Sequence, residues 1–280
     1  GAGRGGLVVV TNMATRPLGM FDSGVGGLTV ARAVIDLLPH EDLIYFGDSA
    51  RLPYGPRPQA EVKKFALEIM DALMQEGVKM LVVACNAASS TALEEAQTRY
   101  DVDVVGVIEA GLRAAVAATR NRRIGLLGTE VTVGSGAYDR TLIATRANVA
   151  LKSVACPRFV EFVERGDTTS DEVVKAAETY LSPLKASGVD TVILACTHYP
   201  LLAGVISYVM GDDVVLISSA EATAHEVYGR LMDRRLLNPS SKLGNHRFIA
   251  SSAQGISSEL GQRFLGPEFS EVEHRPWDRP

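Results

Sequence analysis

The sequence predicts an α/β protein built as two pseudo-symmetric lobes. Each lobe is a mostly parallel sheet flanked by helices, and the active site lies in the cleft between them. Three observations carry this expectation. Short, continuously apolar runs alternate with amphipathic stretches of helical length, the pattern of a parallel sheet covered on both faces. Two of these runs, "LVVAC" ending at Cys85 and "VILAC" ending at Cys196, stop at a thiol followed by a polar residue. The halves also match each other: "GVKMLVVACN" (77–86) pairs with "GVDTVILACT" (188–197), and "PLGMFDS" (17–23) with "RIGLLGT" (123–129), in registers that agree within a short insertion.

The first element is the short strand "PLGMF" (17–21), running into the turn "DSGVGG" (22–27). A helix follows with Leu28, Ala31, Val34 or Ile35 and Leu38 on one face. "LIYFG" (43–47) is a second strand, and "DSARLPYGPRP" (48–58) is a long loop with three prolines. Residues 60–76 give the clearest helix, with Val62, Phe65, Ala66, Ile69, Met70, Leu73 and Met74 at helical spacing and Gly77 as its stop. Then come a strand ending at Cys85, a helix from about Ser89 to Tyr100, and the strand "VDVVGV" (102–107). The order begins again after Gly111. It gives the strand "RIGLLGT", a helix from about Val133, the strand "VALKSVA" (149–155) ending at Cys156, and a helix over 171–186. "TVILA" then ends at Cys196, a short helix follows, and "VVLISS" (214–219) is the next strand.

The lobes are placed at residues 17–109 plus 221–265 and at residues 110–220, the helical stretch after Ala220 crossing back to the first lobe and closing the cleft. Residues 1–16 and 266–280 read as flexible termini. The first has too short an apolar patch for a secretory signal, and the last is rich in charge and proline. A net charge of −5 argues against a protein built to grip nucleic acid or an anionic membrane. No apolar run approaches the roughly 18–20 residues that span a bilayer. Three widely spaced cysteines form no disulfide framework and favour a reducing cytoplasm.

Ligands of parallel sheets sit at the carboxyl ends of the strands, and Asp22, Ser23, Cys85 and Cys196 all follow strands directly. A single strand-end cysteine reads first as a small buried hydrophobe. Two at matched places in a repeat, each followed by a helix start, read as thiols aimed at one bound molecule. Cys156 also ends a strand, but proline follows it and the repeat has no counterpart, so it reads as structural. Helix N-termini favour a thiolate, and equally a carboxylate or phosphate ligand. His198 is placed to exchange protons with Cys196 or the ligand. Asp22 and Ser23 are either caps of the glycine turn or ligand contacts. "PYG" (53–55) is either a plain turn or a pocket wall.

The blocks "FDSGVGG", "PYG", "ACN", "GLLGT", "CP…FVE" and "CTHYPLL", which cover most of residues 18–225, together resemble the glutamate racemases of the aspartate/glutamate racemase superfamily. The resemblance implies a cofactor-independent enzyme that interconverts L- and D-glutamate and supplies D-glutamate for peptidoglycan. It implies Cys85 and Cys196 as the two acid/base catalysts, with Asp22 and His198 assisting near Cys196 and Ser23 and Glu164 assisting Cys85. Substrate contacts are implied for Asp22, Ser23, Tyr54, Gly55, Asn86, Thr197 and His198. The family's Cys-Asn-Thr/Ser is Cys85-Asn86-Ala87 here, so Ala87 offers only its backbone. Members are often dimeric, and some bind and inhibit DNA gyrase, so a homodimer and a gyrase contact through protein surface also enter by this resemblance.

The chemistry suits the residues apart from the name. Racemisation takes a proton from one face of a carbon and returns one to the other, which two opposed acid/base groups achieve without turning the substrate. Preorganised dipoles can stabilise the developing carbanion without a metal or pyridoxal. Two other classes stay open: a metal-dependent hydrolase using Cys85, Cys196, His198 and Asp22 as ligands, and a binding or regulatory protein. Within the racemase class, aspartate or another amino acid is the competing substrate.

Overall fold

The computed structural model describes residues 13–253, 258–266, 269 and 271–277. The remainder of the expected flexible termini lies outside the described residues. The fold consists of two parallel sheets. The first has the order β10-β9-β2-β1-β3-β4, from β1 (Leu18–Asp22), β2 (Leu43–Gly47), β3 (Met80–Val83), β4 (Asp103–Gly106), β9 (His246–Ala250) and β10 (Val272–His274). The second has the order β6-β5-β7-β8, from β5 (Arg123–Gly128), β6 (Ala150–Ala155), β7 (Thr191–Ala195) and β8 (Val215–Ser218). The order β2-β1-β3-β4 repeats as β6-β5-β7-β8, so the internal similarity of the sequence is a similarity of topology. Strands β1, β2, β3 and β7 are buried along their whole length, which explains their unbroken apolar runs.

Helices cover the sheets: α1 (Leu28–Leu37), α2 (Gln59–Gln75), α3 (Asn86–Arg99), α4 (Val107–Ala118), α5 (Glu130–Gly134), α6 (Ala137–Thr145), α7 (Arg158–Glu164), α8 (Asp171–Ala186), α9 (Ala203–Met210), α10 (Ser219–Arg234) and α11 (Ser258–Leu265). Helix α2 buries Val62, Ala66, Ile69, Met70 and Leu73, and Gly77, at φ +76°, ends it in the left-handed region. One apolar cluster runs from the first sheet (Met20, Tyr45, Val82) into the second lobe (Leu127, Val192, Leu194, Tyr199), so the lobes share a core.

Several elements differ from expectation. Helix α3 begins at Asn86 instead of Ser89, because Cys85 itself is the extended N-cap residue. Helix α4 was not expected, and the boundary placed between residues 109 and 110 falls inside it. Its segment "VIEAGLRAAVAA" is so rich in alanine that the apolar period blurs. Helix α10 packs on α1 of the first lobe, and equally on α4. Gly111 permits this second contact, since a Cβ there would stand 3.1 Å from that of Ser219.

The termini are tied down where they are described. Ala14 is buried, and its carbonyl accepts a 2.5 Å hydrogen bond from Lys79 Nζ. In the C-terminal tail, β10 pairs in parallel with β9, and Phe269 is buried. The ammonium of Lys79, fully buried, also donates to the Leu236 carbonyl at 2.8 Å and pairs with the buried Glu41 carboxylate at 2.5 Å. Replacing Lys79 with Met leaves Glu41 as an uncompensated buried charge. Urea unfolding should show Lys79→Met destabilised by about 3–5 kcal/mol; a loss under about 1 kcal/mol would mean the pair is not what holds this junction.

Candidate active site

Parallel strands deliver their carboxyl ends to one edge of the sheet, and here those edges meet. Strand β1 ends at Asp22, β3 leads to Cys85, β5 to Thr129, and β7 to Cys196. Ser23, Tyr54, Gly55, Cys85, Asn86, Ala87, Cys196, Thr197 and His198 line a single cavity between the lobes. Of the residues singled out in the sequence, Asp22 and Glu164 stand outside that lining. Asp22 is fully buried beneath it, and Glu164 faces an outer pocket.

Asp22 does the work of a cap and of a bridge. Its Oδ2 accepts from the N–H groups of Gly24 at 3.1 Å and Gly27 at 3.0 Å, closing the turn into α1. Its Oδ1 accepts from Thr197 Oγ1, 3.3 Å away on the other lobe. The turn must be glycine for the lobes to come this close: a Cβ at Gly26 would stand 2.4 Å from Thr197 Oγ1.

The two thiols have unlike surroundings. Burial pushes the Cys85 thiol well up, and the Asp22 carboxylate adds to the effect. The N–H groups of Ala88 and Ser23 oppose this. Ala88 lies in the first turn of α3, where a helix N-terminus favours a thiolate. Cys196 Sγ lies 4.0 Å from His198 Nδ1, and His198 Nε2 lies 2.5 Å from Glu164 Oε1. Burial alone would depress His198, but the hydrogen bonds and charges of Cys196 and Glu164 outweigh it and carry the imidazole up to about 10.

This corrects one expectation and adds to another. Glu164 belongs with His198 on the Cys196 side and not with Cys85, because α7 ends beside the 3₁₀ turn Tyr199–Leu202 that follows His198. Asp22 touches Thr197, as a place near Cys196 requires, but its charge also bears on Cys85. Ser23 lines the cavity together with Cys85, and its N–H favours the thiolate. Cys156 is buried outside the cavity lining, and its carbonyl accepts from Tyr199 Oη at 2.9 Å.

Pro53, the first residue of "PYG", lines the cavity too, and so do Leu52, Thr129, Thr132 and Val160, which were not singled out. The repeat held the signal for Thr129, which aligns with Ser23. Tyr138, from α6, is a further supporting residue: its hydroxyl donates to Asn86 Oδ1 at 2.6 Å, which turns the Asn86 amide nitrogen away from it. That nitrogen is buried and has no partner among the described residues. The cavity measures about 20 Å³, room for about one water molecule. Leu52, Pro53, Gly55, Thr129 and Val160 separate it from the outer pocket of about 470 Å³. Among the described residues no group of three or more His, Cys, Asp or Glu side chains is arranged to hold a metal ion. Nor is any helix of the described residues long and apolar enough to cross a membrane.

Residues 28–227 match the family model described as Asp/Glu/hydantoin racemase. The chain belongs to that family. Membership makes it an isomerase of the racemase type. A glutamate racemase of Acidothermus cellulolyticus is 52% identical over 261 residues, 93% of this chain and 99% of its own length. The glutamate racemase of Thermus thermophilus, solved in complex with β-chloro-D-alanine, is 42% identical, with a TM-score of 0.84 over 95% of this chain and 98% of that one. That of Francisella tularensis, solved in complex with D-glutamate, is 32% identical, with a TM-score of 0.88 over 95% of this chain and 99% of that one.

The His198 environment has a measurable signature. In a titration followed by NMR, His198 should keep its proton until pH approaches about 10 and should lose it at lower pH in Glu164→Gln. The folded value lies above the ordinary 6.5, so the stability from this pair is full below pH 6.5 and is lost as pH rises towards 10. The stability gap between wild type and Glu164→Gln should therefore close over that interval. Titration of wild-type His198 near 6.5 would contradict this account of the site.

Proposed function

We propose that the chain is a cofactor-independent glutamate racemase that interconverts L- and D-glutamate by proton transfer between two thiols, and that in the cytoplasm it supplies D-glutamate for peptidoglycan. The observation that carries the reading is the pair Cys85 and Cys196, delivered to one cavity by equivalent strands of two lobes. The near-full-length relatives named as glutamate racemases support glutamate as the substrate. Family resemblance extends the proposal to a homodimer and to a gyrase contact.

The reaction needs one thiolate and one thiol at rest. Starting from L-glutamate, the Cys196 thiolate takes the α-proton, and the electron pair of the C–H bond passes into the substrate carboxylate as an enediolate-like anion. The Cys85 thiol then returns a proton to the opposite face, which leaves the charges of the two sulfurs exchanged. D-Glutamate runs the same path backwards. The two titrations are coupled, because each sulfur is ionised only while the other is protonated. The N-terminus of α3 and the unpartnered Asn86 amide nitrogen are placed to receive substrate carboxylate and to stabilise the added charge. A cavity of about 20 Å³ does not admit an amino acid, so the partition at Leu52, Pro53, Gly55, Thr129 and Val160 has to part for substrate.

The direct test is incubation with L-glutamate in deuterated water. Optical rotation should decay to zero while deuterium appears at the α-carbon, without added cofactor; retention of optical activity with no exchange would refute the assignment. Glutamate should exceed aspartate by about 10–200-fold in kcat/KM, the discrimination that one methylene provides. Equal turnover of the two would remove glutamate as the defining substrate.

Substitution of the thiols separates the two faces. Cys85→Ser and Cys196→Ser should each nearly abolish racemisation, with losses beyond the roughly 10²–10⁴-fold usual for a general base, since a serine hydroxyl is far less acidic. An analogue with a leaving group on the β-carbon needs only proton abstraction. Cys196→Ser should still eliminate from the D-form, and Cys85→Ser from the L-form. Cys156→Ser should racemise almost normally. Loss of the same enantiomer by both variants would defeat the two-face mechanism.

A further inference from the structure

The C-terminal segment reaches the substrate cavity through a short chain of contacts. Beyond β10, the Arg275 N–H donates to the Ala250 carbonyl at 2.9 Å, and this carries the chain onto the loop of residues 48–58. There Trp277 donates from Nε1 to Asp48 Oδ1 at 2.7 Å, with its ring centroid 5.3 Å from that of Phe46. One face of the Arg51 guanidinium lies 4.0 Å from the indole and the group lies 4.1 Å from the Phe65 ring, so two aromatic rings hold it. Asp48 is fully buried. Besides the indole it accepts from Ser251 Oγ at 2.7 Å, Arg51 Nε at 2.6 Å and Tyr54 Oη at 2.5 Å. Tyr54 lines the cavity, as does the adjoining Gly55, whose carbonyl accepts from Val131 N of the second lobe at 3.0 Å.

We propose that Trp277 is a positioning residue for the racemase site, fixing the 48–58 loop and, through Asp48, the ring of Tyr54 against the substrate cavity. The inference rests on the racemase reading above. Nothing in the reaction touches Trp277; its effect passes through Asp48. Without the indole N–H, one Asp48 oxygen loses a donor. Without the indole ring, Arg51 loses one of the two rings that hold it. The loop then becomes freer in the unbound protein, and substrate binding bears the cost of ordering it again. Loss of Trp277 therefore weakens binding more than it slows proton transfer.

Trp277 is the only tryptophan of the chain, so the intrinsic emission of the full-length protein reports on this contact directly. Trp277→Phe keeps a ring against Arg51 and removes the N–H; Trp277→Ala removes both. The expected result is a KM for glutamate raised about tenfold in Trp277→Phe and further in Trp277→Ala, with kcat within about threefold. If the effect runs through Asp48 and Tyr54, Trp277→Phe should add less than about twofold in a Tyr54→Phe background. Tyr54→Phe should also shift the emission of Trp277. An unchanged KM with only a lowered melting temperature, or full multiplication of the two substitutions, would overturn the inference. The emission shift does not require turnover. A protein that shows the shift yet leaves glutamate untouched therefore sinks the racemase reading and keeps the Trp277–Tyr54 linkage, whereas normal KM values in an active Trp277→Ala enzyme sink the inference alone.

Discussion

The bond between the buried Asp22 carboxylate and the Thr197 hydroxyl is the constraint around which the site is arranged. A carboxylate sealed from water must find donors, and Asp22 finds two in the turn that follows it and one on the opposite lobe. That third donor is within reach only because Gly26 brings no side chain between the lobes. A Cβ at Gly27 would collide with Asp22 itself, at 2.5 Å. The same close approach sets Thr197, Cys196 and His198 against the strand ends of the first sheet. Gly26 of "DSGVGG" thus sets the width of the cleft.

Charge is managed differently at each point where the chain is tied together. Lys79 and Glu41 compensate each other where the N-terminal segment meets the connection after α10. Asp48 gathers its four donors from the loop, from Ser251 after β9 and from the C-terminal segment. His198 and Glu164 pair across α7 and the end of β7. Each of these joins segments far apart in sequence but within one lobe; between the lobes it is the shared core and the Asp22–Thr197 bond that hold.

Much of this was legible in the sequence. The apolar strands were readable because parallel strands buried on both faces leave unbroken runs, and the repeat was readable because both halves end the same strand on a thiol. Helix α4 was missed because alanine and glycine fit either face of a helix. The ordered C-terminal strand was missed because its charged residues suit a solvent-facing edge as well as a tail: Val272 is only half-buried, and Glu273 pairs with Arg247 and Arg275. At the site, strand-end residues were found and bridging ones were not. Glu164 was recognised as a site residue but given to the wrong thiol, because family likeness supplies membership of a site and not the side of the cleft. Val160 and Thr132 carry no motif of their own; they line the cavity only once α7 and α5 are folded over it.

The unlike surroundings of the two thiols have a thermodynamic consequence. Mirror-image amino acids have equal free energy in water, so the equilibrium constant of their exchange is one. For the two-thiol racemisation proposed above, the ratio of kcat to KM must then be the same in both directions, however differently Cys85 and Cys196 are held. The asymmetry created by Asp22 on one side and by the His198–Glu164 pair on the other cannot favour either product. It can only redistribute each direction between tight binding and fast turnover. Under that proposal, a fold that duplicates its scaffold but not its surroundings is free to adapt each face to the concentration of the enantiomer it meets.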